Sequence, residues 1–216
     1  MNTAKSLILV LILILHLSGT LLTAQIKPLS PADAQDARKR ISEASRTTFS
    51  IEAQFTQTKE LSVIREKIIS KGVFYFKKEK FLRWEYTDPF PYLIIFNNDK
   101  IYVKDEDKEN HISLQSNKVF REVNNILIGA VEGTLLNDSK NFTCNITDLH
   151  DQFQAVMIPV NPRIKETLSE ISLYFNKTDY TVDKLIMREV SGDYTRVEFS
   201  GKKINQSVPD AKFIIP

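Results

Sequence analysis

The feature that most constrains this chain is a switch of hydrophobic period at Phe49. From there apolar residues recur at every second position: Phe49, Ile51, Ala53 and Phe55 alternate with polar neighbours, the pattern of a strand with one buried face. Further runs of this kind follow at Ile64 to Ile69, Gly72 to Phe76, Phe81 to Tyr86, Tyr92 to Phe96, Lys100 to Val103 and His111 to Leu114. Others lie at Phe142 to Ile146, Phe153 to Ile158, Ile171 to Phe175, Val182 to Arg188, Tyr194 to Phe199 and Ala211 to Ile215. Short charged or Asn-rich turns separate them, such as Lys77-Lys78-Glu79-Lys80 and Asn97-Asn98-Asp99. About ten or eleven antiparallel strands are therefore expected, and an open sheet that long curls on itself.

Two stretches break this rhythm. Ser30-Pro31-Ala32-Asp33 has the chemistry of a helix start, with a capping hydroxyl, a proline at the first helical position and an acid at the positive end of the dipole. Ala34, Ala37, Ile41 and Ala44 then form an apolar stripe of mostly small side chains, which buries little area. In the middle, Val119, Phe120, Val123, Ile126, Leu127, Ala130, Val131 and Leu135 have helical spacing, but Gly129 and Gly133 weaken that helix by about 1 kcal/mol each relative to alanine. The expected architecture is a mainly β, half-open antiparallel barrel with a helical lid drawn from these two segments.

The N-terminus sets the expected compartment. Lys5 precedes an apolar run from Leu7 to Leu17, and Leu22-Thr23-Ala24 resembles a cleavage site. The run is short of the roughly 20 residues that a membrane helix needs. Residues 1–24 are read as a signal peptide cleaved near Ala24, and 25–216 as a single exported, periplasmic domain. No cysteine directly follows the apolar stretch, so a lipid anchor of the bacterial type is not expected. The one cysteine, Cys144, excludes an internal disulfide, and it alternates with Phe142 and Ile146 as a buried apolar residue would.

The inventory for chemistry is poor. Of three histidines only His111 and His150 lie beyond the leader, both on turn margins. There is no nucleophile elbow, no metal-ligand spacing and no nucleotide loop. An enzyme is not expected, nor is a metal or cofactor. A formal net charge of +2 gives no electrostatic footprint for nucleic acid.

One ordered set of residues resembles the periplasmic lipoprotein carriers, the LolA family. A helix precedes Phe55-Thr56-Gln57, similar to the family's F-x-Q signature; the Arg83-Trp84-Glu85-Tyr86 strand, Pro89, an aliphatic strand and the Asn98-Asp99-Lys100 turn follow, and Asp210-Ala211-Lys212-Phe213 resembles the closing strand. The resemblance implies a carrier that shelters the acyl chains of lipoproteins. It would ferry them from an inner-membrane ABC-type release complex to the outer membrane, where a receptor may be met, and it would act as a monomer. It places Trp84 and Tyr86 in the acyl-chain cavity, Leu82 at its mouth, and Ile41, Val123 and Leu127 on the lid. The family often has an arginine before a proline, upstream of the tryptophan strand, that latches the lid. Here Lys78 and Glu79 stand in that place, and lysine lacks arginine's planar fork. The competing reading is an envelope lipid sensor, or a binder of another amphiphile, on the same half-barrel; a sensor would be expected to carry a further partner domain.

Overall fold

A computed structural model describes residues 28–63, 66–78, 81–98, 100–106, 108–113, 126 and 128–216. Helix α1 (Pro31–Thr47) leads into eleven strands: β1 (Ser50–Glu60), β2 (Lys67–Lys77), β3 (Phe81–Asp88), β4 (Tyr92–Asn97), β5 (Lys100–Asp105), β6 (Lys108–Ser113), β7 (Phe142–Asp148), β8 (Gln152–Pro159), β9 (Leu168–Asn176), β10 (Val182–Glu189) and β11 (Tyr194–Ile204). They form one antiparallel sheet in the order β6-β5-β4-β3-β2-β1-β11-β10-β9-β8-β7. Neighbours in sequence are neighbours in space, save that β1 and β11 join the two halves and β6 and β7 are the edges. This is the open, mainly β sheet with helices that the alternation requires.

Helix α1 forms as its sequence dictates. The Ser30 hydroxyl accepts the Asp33 amide at 3.2 Å, and Ala34, Ala37 and Ile41 turn inward to bury the stripe. The inner face of the sheet meets it with larger side chains, paired across strands: Ala53 with Phe74, Ile51 with Phe76, Phe76 with Leu82, Phe74 with Trp84 and Leu82 with Phe96. Gly72 is required within this face. A Cβ there would lie 1.9 Å from the Glu85 carbonyl oxygen and 2.8 Å from the Phe55 ring, so only glycine lets β3 and the ring approach.

Four expectations change. Ile68 and Ile69 of the first of two expected strands and Gly72 to Phe76 of the second belong to the single strand β2, because Gly72 stays in register opposite Phe55 rather than turning the chain; Ile64 and Arg65 lie outside the described residues. Phe49 is 51 % exposed, since β1 begins after it. Of the central helix, residues 128–131 are helical, and Gly133, at φ +64°, ends the run before a 3₁₀ turn at Thr134–Asn137 takes up Leu135. Val123 and Leu127 lie outside the described residues, as do residues 1–24. Ala211 to Ile215 is no strand: Asp210–Phe213 is a 3₁₀ turn packed on the outer face of β3 and β4. Arg83 donates to the Lys212 carbonyl (3.1 Å) and Asn97 to the Phe213 carbonyl (3.0 Å), which holds the tail across the sheet instead of along it.

The β7 edge is blocked. Leu29 N–H donates to the Ile146 carbonyl at 2.7 Å, Pro28 bridges to Thr147, and Arg38 donates to the Cys144 carbonyl at 2.8 Å. Acceptors that could otherwise recruit a foreign strand are thus occupied by the N-terminal segment.

Candidate functional site

The inner face converges on Trp84. The β pleat puts Leu82, Trp84 and Tyr86 on one side of β3, and three neighbouring strands surround them with rings. Phe55 lies 4.7 Å from the Trp84 ring centre, Phe74 5.3 Å and Phe199 5.9 Å, in tilted or edge-to-face arrangements. Phe55 also meets Tyr86 edge-on at 5.1 Å, and Tyr86 meets Tyr92 at 5.9 Å. Ile41 reaches the same apolar cluster from α1. Ile41, Leu82 and Trp84 thus belong to one buried apolar cluster, with Tyr86 packed against it.

Exposure along β3 is graded. Leu82 is 0 % exposed and Trp84 5 %, whereas Tyr86 and Tyr92 are only part-buried. The expectation that Leu82 stands at the mouth is corrected: it is enclosed by Phe76 and Phe96 on the flanking strands, and the more exposed end of this inner face lies at Tyr86 and Tyr92. There the Tyr86 hydroxyl donates to Gln57 Oε1 at 3.0 Å, which gives the Phe55-Thr56-Gln57 segment a physical task. Burial pushes the Tyr86 hydroxyl up to about 12, against the opposing pull of the Trp84 N–H and the Gln57 bond. Trp84 Nε1 itself is buried and has no hydrogen-bond partner among the described residues.

Two sets of polar contacts fasten α1. At its C-terminal end Lys78 Nζ donates to the Arg46 carbonyl (2.6 Å), Asn205 Nδ2 donates to the Thr47 carbonyl (2.9 Å), and Phe49 N–H donates to Asn205 Oδ1 (2.8 Å). These satisfy carbonyls that a helix end leaves without partners. At its middle Arg38 donates to the Cys144 carbonyl (2.8 Å) and, less closely, to the Leu136 carbonyl (3.4 Å). Sequence reasoning missed Arg38. Its signal was position: it stands four residues after Ala34 and three before Ile41, on the buried stripe, where a lone arginine needs partners. Gly133 lets the lid elements touch, since a Cβ there would lie 2.8 Å from Ile41 Cγ2.

The molecule is thus an open antiparallel sheet whose inner face carries an aromatic cluster and which is covered by a helix packed through small side chains. The chain matches the model of the family described as outer membrane lipoprotein carrier protein LolA over residues 46–216, and it belongs to that family. Among solved structures it is similar to a chain of the Pseudomonas aeruginosa MucA/MucB complex, at 11 % identity and a TM-score of 0.52, over 85 % of this chain and 61 % of that one. It is also similar to a LolA superfamily protein from Nitrosomonas europaea (13 % identity, TM-score 0.45, 84 % and 97 % covered). A third is the Mycobacterium tuberculosis lipoprotein LppX (13 %, 0.45, 83 % and 99 %). At such identities the likeness is one of fold. A search of the curated proteins with the sequence returned no match.

Proposed function

We propose that this protein is a periplasmic carrier that shelters the acyl chains of lipoproteins between the inner face of its sheet and α1. The observation that carries this reading is the joining of Ile41, Leu82 and Trp84, with Phe55 and Phe74, in one apolar cluster whose cover is small-residued and polar-tethered. The family to which the chain belongs supports it. In this reading residues 1–24 direct export and are cleaved near Ala24, and 25–216 act as one monomeric domain. An inner-membrane ABC-type complex loads it, and an outer-membrane receptor accepts the cargo.

The energetics fit binding and release rather than catalysis. Burying an acyl chain yields about 0.8 kcal/mol per methylene, so ten methylenes give roughly 8 kcal/mol. The rings around Trp84 fill the chamber in the closed form, so entry of a chain requires α1 to lift. That lift breaks the Arg38, Lys78 and Asn205 bonds, and the helix's own contribution to newly exposed apolar surface is only alanines and Ile41. Lys78, by this account, is one of two latches and Arg38 the other.

The test is lipoprotein release. Membrane vesicles bearing labelled lipoproteins and the ABC complex are energised with ATP and mixed with the purified protein. Labelled lipoprotein should appear in the soluble fraction bound to it. Label that stays wholly in the vesicles overturns the carrier reading and leaves the lipid-sensing alternative.

A further inference from the structure

Trp84 Nε1 is a buried donor with no acceptor among the described residues, within the inner apolar cluster. Its residue is 5 % exposed, and rings from Phe55, Phe74 and Phe199 enclose it. The neighbouring Tyr86 hydroxyl feels the indole N–H, but the two do not reach hydrogen-bond geometry, and Tyr86 gives its own proton to Gln57. A buried donor without an acceptor is a standing penalty that native structures rarely keep. The side chains described around the indole are rings that offer it no acceptor, and a bound ligand can supply one.

Resting on the carrier reading above, we propose that Trp84 Nε1 donates to a carbonyl of the bound lipid, an acyl ester or amide. The gradient on β3 orients that ligand: tails toward the sealed Leu82 and Phe96 end, carbonyls toward Trp84, and the head group past Tyr86 and Tyr92, where exposure begins. Gln57 and Tyr86 hold each other and frame the carbonyl site from the wetter side. The chamber then selects acyl over alkyl chains, a distinction that apolar burial alone cannot make.

The experiment compares two probes of equal chain length on the delipidated full-length protein: dipalmitoylglycerol, with two ester carbonyls, and dihexadecylglycerol, its ether analogue with none. Trp84 is the sole tryptophan, so its emission reports occupancy directly. The ester should bind about tenfold more tightly, the equivalent of about 1.4 kcal/mol, and should shift the emission to the red. In Trp84→Phe, followed by displacement of a fluorescent fatty acid, the ester-to-ether ratio should fall to about one. Taking the ratio within each variant cancels any general loss of packing. Should Trp84→Phe fail to fold, the ester carbonyl stretch of the bound lipid in the wild type should still move to lower frequency. Equal binding of the two probes, a ratio retained in Trp84→Phe, or an unshifted carbonyl stretch overturns the inference and leaves the carrier reading standing. Binding of neither lipid overturns the carrier reading, and the inference with it.

Discussion

Strands β2 and β3 send alternate side chains into two apolar clusters of different build. Inward, Phe74, Phe76, Leu82 and Trp84 join a cluster spanning the sheet, covered by α1 through Ala34, Ala37 and Ile41. Outward, Tyr75 packs with Val208 and Phe213, with Phe81 beside them, beneath the C-terminal segment. The outer cover presents a large ring, Phe213 at 5.7 Å from Phe81, and is tied down by Arg83, Asn97, the Lys77–Asp210 ion pair and Lys212 above the Tyr75 ring. The inner cover presents small side chains and a few long-reach bonds. The outer cover is thus held by a large ring and several polar ties and the inner one by small side chains, and the proposed carrier function would use the inner cover as the one that opens.

The strongest way to break this contrast is to charge the sealed end. Leu82→Glu places a carboxylate with no cationic partner among the described residues at a fully buried site, and should remove about 3–5 kcal/mol of stability in denaturant unfolding, enough to unfold a marginal protein. Leu82→Met should lose less than about 1.5 kcal/mol. Next, Phe213→Ala should cost about 3 kcal/mol by the same measurement while leaving lipid affinity unchanged, because the ring serves the outer cover alone.

A pH scan separates the faces by about 2.8 kcal/mol. The Tyr86 hydroxyl is raised from its ordinary 10.0 to about 12 by burial, so the folded state holds its proton longer than the unfolded one. That contribution is complete below pH 10 and is lost as the pH climbs toward 12, amounting to about 1.4 kcal/mol per unit. Tyr86→Phe should flatten this part of the profile.

The smallest effects concern the latches. Arg38→Met leaves two part-buried carbonyls short of a donor and should cost about 1 kcal/mol. Lys78→Leu, at an exposed position, should stay within about 0.5 kcal/mol. Both should speed lipid entry in stopped-flow measurements, Arg38→Met the more. Equal entry rates in wild type and both variants would remove the latches from the account.

Much of this contrast was legible in the sequence. Period-two alternation placed Leu82, Trp84 and Tyr86 on one face, and Ser30-Pro31 located the start of α1. Which end of that face is sealed was not legible, because alternation gives the side of a strand and says nothing of depth along it; the mouth position of Leu82 came from the family resemblance alone. The tail from Asp210 was mistaken for a strand because Phe213 and Ile215 alternate, although Arg83 and Asn97, far off in sequence, decide its course. Arg38 escaped notice because its partners are backbone carbonyls of Leu136 and Cys144, groups that carry no signal in side-chain identity.

The central claim is that acyl chains occupy the space around Trp84 beneath α1. Its most direct measurement uses a lipid with bromine atoms on the acyl carbons next to the carbonyl, since bromine quenches indole emission only near contact. Titrating the protein with the brominated lipid should extinguish most of the single-tryptophan fluorescence, and an unbrominated lipid of the same length should restore it by competition. Lipid that binds while leaving Trp84 emission undiminished would contradict the account, for the acyl chains would then lie elsewhere.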